Sequence, residues 1–209
     1  MDPNANSTPF TAAGEFSPIA EDYPTYMAPD PENFRGIHAV QVLTGQSGFT
    51  LEKLIEVAYA PYLSGFKTLI SGLIDAYDRS RNPPRVLAES INLLRQWDYR
   101  VSADSVAMSL AHYYGMQYLA EGTRPEGKSL MQMIEYFGNS SLRSPRLNVF
   151  ELAVEKLNTD FGQWNTPWGN INRLQRLNGD IDLPVDDLQS SIPIGMASGR
   201  WGALAAFGA

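Results

Sequence analysis

Cysteine is absent from the chain, which removes disulfides, thiolate metal sites and cysteine nucleophiles from consideration. The compartment stays open, because exported proteins also lack cysteine. Histidine is nearly as scarce, with only His38 and His112. Neither has a second histidine or a carboxylate cluster at ligand spacing, so each reads as a core or surface residue rather than a metal ligand. Lys and Arg are missing from the first 34 residues, against the basic start of a signal peptide. No apolar run approaches the roughly 18 residues that span a bilayer. The net charge of −7 argues against a phosphate-backbone binder, whose affinity comes from Lys and Arg, so no nucleic-acid partner is expected. Ser17, Ser47 and Ser105 stand outside any G-x-S-x-G setting, so no serine-hydrolase elbow is supported.

What is present is an ordinary globular balance, 44% apolar and 19% charged, in a chain long enough to bury a core. Residues 1–33 hold six prolines and no helical periodicity, the composition of a long ordered loop, of the kind that is either functional or draped over another domain. Apolar residues then recur at helical spacing. Ile37, Val40 and Leu43 predict a short helix ending near Gly45. Thr50 suits an N-cap for a stripe of Leu51, Leu54, Ile55, Ala58 and Tyr62, kinked or broken at Pro61 and resumed by Phe66, Leu69, Ile70, Leu73 and Tyr77. That stripe reads as core packing.

After Asn82-Pro83-Pro84, Leu87, Ile91 and Leu94 mark another helix ending near Trp97. Ser102 or Asp104 can cap the next, with Val106, Leu110, Tyr113 and Tyr114 facing inward. A short helix is expected from Ser129 to Tyr136. Ser144-Pro145 opens one with Leu147, Phe150, Val154 and Leu157 on its apolar side. Five or six helices therefore lie between Arg35 and Asp160. Beyond Phe161 the sequence reads as extended segments and turns, with one or two short strands. Asp180, Asp182, Asp186 and Asp187 form a loose acidic loop without EF-hand spacing, by default a solvated surface. The division is a 1–33 arm, a 34–161 helical region and a 162–209 irregular segment.

The opening run Asn4-Ala5-Asn6-Ser7-Thr8-Pro9-Phe10 is followed by Tyr23-Pro24-Thr25-Tyr26 and by Arg35 at the start of a helix. This order resembles the middle of the β subunit in the penicillin acylase family of N-terminal-nucleophile hydrolases, which includes penicillin, aculeacin and acyl-homoserine-lactone acylases. Three later stretches carry the same resemblance: LLRQWDYRVSADSVAMSLAHYYG, WGNINRLQRLNGD and the closing SIPIGMASGRWGALAAFGA. The resemblance covers nearly the whole chain. It is specific because the pieces come in order, though each is weak alone. The later stretches look nearest to the lactone and aculeacin acylases.

That resemblance implies a mainly α piece of an αββα hydrolase, an internal β-subunit fragment inactive when isolated. It implies hydrolysis of linear N-acyl amides through an acyl-enzyme. The nucleophile is a Ser at the processed start of the family's β chain, whose α-amine serves as base, an arrangement suited to an amine titrating near 8. No residue here matches that Ser. Asn6 aligns with the oxyanion-hole Asn, and Arg35 with the Arg that supports it. Asn4 and Pro9 would shape the loop. Catalysis needs no cofactor, while structural calcium is implied for the complete enzyme, with Asp22 as a weak ligand candidate.

The partners implied are a small N-acyl amide and the rest of the same precursor, in the periplasm or outside the cell. Roles in antibiotic biosynthesis or quorum quenching belong to the same expectation. Without the resemblance, Asn4 and Asn6 are turn formers and Arg35 a solvated helix-start residue. A stand-alone, non-catalytic helical interaction protein is then the alternative.

Overall fold

Asn33 opens the first helix, its side-chain oxygen accepting the Gly36 N–H at 2.8 Å. The computed structural model describes residues 22–24, 26, 32–120, 126–175, 185–186 and 188–207. Helix α1 covers Phe34–Thr44. Thr50 caps α2, Leu51–Ala58, by accepting the Lys53 N–H, as the sequence suggests. Pro61 falls between α2 and α3, Ser64–Asp78. A 3-10 turn at Arg85–Leu87 leads into α4, Ala88–Arg95.

Helix α5 covers Val106–Ala120. Its first turn is held by Ser105, whose Oγ accepts the Met108 N–H at 3.1 Å, rather than by Ser102 or Asp104. Helix α6, Leu130–Glu135, starts on a reciprocal capping box between Ser129 and Gln132. It runs into a π turn, Tyr136–Ser140, before α7, Arg143–Phe161. Gly162 ends α7 in the left-handed region at φ 78°. The described residues thus form seven helices over this stretch against five or six expected, because Pro61 divides the Leu51 to Tyr77 stripe in two.

Helix α3 is the spine of the core. Phe66, Leu69, Ile70, Leu73 and Ala76 are fully buried on it. Helices α7, α6, α1 and α4 and the π turn pack around it, and α5 lies mainly on α7. The crossing of α3 with the π turn is backbone on backbone, since a Cβ on Gly72 would lie 2.0 Å from the Gly138 carbonyl oxygen. Arg146 locks the same crossing from within. Its guanidinium donates to the Gly72 carbonyl at 3.0 Å, the Ser141 hydroxyl at 3.0 Å and the Ser141 carbonyl at 2.6 Å.

Helix α2 departs from the sequence reading. Val57 is buried, but Leu51, Leu54, Ile55 and Tyr59 are exposed among the described residues, so the stripe is core only from Leu63 onward. After Phe161 the short strands expected from the sequence are present, with a short helix added before them. Trp168 starts a short helix α8, Trp168–Ile171, followed by an antiparallel pair of β1, Arg173–Leu174, and β2, Ile192–Pro193.

Asn172 explains why the tail holds there. Its amide donates to the carbonyls of Ile194, Met196 and Phe207. Trp168 adds an Nε1 bond to the Met196 carbonyl at 2.7 Å. Trp201 then enters the core and stacks on Phe66 with ring centres 4.6 Å apart. The described molecule is mainly helical, and none of its helices is long and apolar enough to cross a membrane.

Candidate functional site at the start of the first helix

The residues singled out in the sequence fall into two groups. Asn4, Asn6 and Pro9 lie outside the described residues, as do Ser17, Asp180, Asp182 and Asp187. Arg35, Asp22, Asp186, Ser47, Ser105 and both histidines lie within them. Asp22 is exposed, and among the described residues no group of three or more His, Cys, Asp or Glu could hold a metal ion. Asp186 is occupied locally, its carboxylate accepting the Leu188 N–H at 2.9 Å. Ser47 is exposed on a loop and Ser105 caps α5, so neither is set up as a nucleophile.

Arg35 is half-buried in the first turn of α1. One Nη donates to the Leu204 carbonyl at 2.5 Å, a link across 169 residues. Gly199 makes room for the side chain, because a Cβ there would come within 3.3 Å of Arg35 Cδ. Three residues along the same helix face, His38 is 2% exposed, and its Nδ1–H donates to the Gly202 carbonyl at 2.7 Å. Burial lowers the His38 pKa, with Arg100 acting in the same direction, while the Gly202 bond opposes them.

The wall facing α1 is a tight turn. Gly199–Trp201 forms a 3-10 turn, closed by the Gly202 N–H donating to the Gly199 carbonyl at 3.0 Å. Gly202 has φ 104°, and a Cβ there would meet Ser64 Oγ at 2.5 Å, so the position requires glycine twice over. Ser64 ties the third element in by donating to the Phe34 carbonyl at 3.1 Å. Beyond Leu204 an apolar groove of about 280 Å³ lies between α1 and α2, lined by Ala39, Val42, Leu43, Leu54, Val57 and Leu204.

Chemically, this arrangement anchors a planar, multi-donor guanidinium against the backbone of the tail. Such a group stabilises an anion or orients a neutral amide beside one. His38, read from the sequence as a core or surface residue, is buried; its tie to the Arg35 site was missed, as were Gly199, Gly202 and Leu204. The available signals were the Gly-x-x-Gly spacing around Trp201 and the i, i+3 placement of His38 relative to Arg35. His112 lies elsewhere, buried with its ring 4.9 Å from that of Trp168.

A family model described as penicillin amidase matches residues 3–201. A search of curated proteins found no match. The family match spans Asn6, Arg35 and the Gly199 to Trp201 turn in one stretch. With nearly the whole chain covered, the protein belongs to the penicillin amidase family.

Proposed function

We propose that this chain is the oxyanion-stabilising part of an N-acyl amide hydrolase, an internal piece of the β subunit of an αββα enzyme. The observation that carries the reading is the family match over residues 3–201, a range that includes Asn6 and Arg35. The clamped setting of Arg35 supports it.

A Ser hydroxyl supplied by sequence outside these 209 residues attacks the amide carbonyl, while the α-amine of that Ser takes the hydroxyl proton. The carbonyl oxygen becomes an oxyanion, to which the Asn6 side-chain N–H donates. A neutral amide suits the task because it stabilises charge without titrating. Arg35 holds Asn6 in place and adds positive potential. The C–N bond then breaks, the amine leaves with the proton, and water hydrolyses the acyl-enzyme by the same route in reverse.

No step uses a metal. Structural calcium in the complete enzyme, with Asp22 as a candidate ligand, belongs to the same proposal; its further oxygen ligands would come from backbone carbonyls, amides and carboxylates around the site. The exposed Leu51, Leu54 and Ile55 face of α2 supports a partner layer contributed by the rest of the precursor, and isolated from it the piece is inactive. By analogy with the family, the reading includes export of the enzyme to the periplasm or outside the cell.

A direct test is covalent labelling of the enzyme that contains this chain with phenylmethylsulfonyl fluoride, followed by peptide mapping. The expected label is on a Ser outside these residues, at a processed N-terminus. Stoichiometric, activity-linked labelling of a Ser within the chain would overturn the reading.

A further inference from the structure

We propose that His38 is a positioning residue for Arg35, acting through the turn that both side chains grip. This rests on the reading of Arg35 given above only for its catalytic consequence. Arg35 and His38 are one helical turn apart on α1, and their acceptors, the carbonyls of Leu204 and Gly202, are two residues apart on the facing segment. Two donors from one helix face therefore hold one stretch of backbone at two points.

His38 is suited to the first point. A carbonyl only accepts, so the proton resides on Nδ1, and burial keeps the ring neutral near pH 7. The ring is further held edge-on to Tyr62, with centres 5.6 Å apart. The turn itself has little freedom, since Gly202 is wedged against Ser64 and Trp201 is fully buried. The Leu204 carbonyl then stands at a fixed point, and the long, rotamer-rich Arg35 side chain is selected into one pose by it. Removing the His38 donor leaves the Gly202 carbonyl unsatisfied in a buried place and releases the segment that carries Leu204.

The test compares His38→Leu with His38→Asn, because an Asn amide N–H occupies about the place of Nδ1 and can donate to Gly202. In the enzyme containing this chain, His38→Leu is expected to lower kcat roughly 10- to 100-fold with little change in KM, and His38→Asn to recover most of it. The independent readout is the side-chain nitrogen NMR signals of Arg35. They should lose their distinct, slowly exchanging character in His38→Leu and regain it in His38→Asn. Arg35 signals unaltered in the Leu variant overturn the proposal, whatever the activity. Altered signals with full kcat support the clamp and overturn the catalytic reading of Arg35 instead, so the two failures are distinguishable.

Discussion

Burial lowers the His112 pKa from 6.5 to about 4, and the charge of Arg200 pushes the same way. The unfolded chain takes up this proton near its ordinary value, and the native state only near pH 4. Between those values the unfolded state binds more protons, so stability falls as pH drops through that window. The full effect is on the order of 3 kcal/mol. Urea unfolding should show the loss between pH 7 and pH 4.5, and His112→Phe should flatten it; an equal loss in both proteins would assign the acid sensitivity elsewhere. At this scale the sequence was legible where the logic is local. Thr50 caps α2 because a threonine before an apolar run has a nearby N–H to accept. Ser105 was missed although it obeys the same rule, because Ser102 and Asp104 offer competing caps within three residues. The partner of Arg35 was not legible at all, since Leu204 donates no side-chain chemistry and lies 169 residues away.

Helix α3 and the π turn meet at Gly72 and Gly138 with no room for a side chain. Gly72→Ala must push backbone against backbone, so it should cost about 3 kcal/mol or more in the urea unfolding of the chain. A cost below about 1 kcal/mol would show that the crossing can open. The apolar faces of α3 and α7 were readable from period alone, because both helices bury one continuous side. The same periodicity misplaced α2. Its stripe is real, but periodicity marks which side is apolar and not whether anything described covers it, and Leu51, Leu54 and Ile55 face outward. Helix α8 escaped notice for the opposite reason. Four residues are too few to show a period, and what holds them is the remote bonding of Trp168 and Asn172 to the tail.

Across the molecule, α1 and the tail form one unit with the spine helix. Phe34, Arg35 and His38 on one side meet Ser64, Gly199, Gly202 and Leu204 on the other. This union brings the helix that follows the Pro-rich arm against the Gly199–Leu204 segment. The mainly helical class was legible from composition and period, and family membership from four ordered motifs. How those motifs join was not, because joining depends on glycine clearances and backbone carbonyls that no side-chain pattern records. The central claim is that Asn6, carried by that arm, stabilises the oxyanion of amide hydrolysis. The most direct test is kcat/KM for N-acyl amide hydrolysis by the enzyme containing this chain, wild type against Asn6→Ala, with folding checked by circular dichroism. A folded variant slowed roughly 100- to 1000-fold is the expected result. A folded variant with near-wild-type turnover would contradict the account.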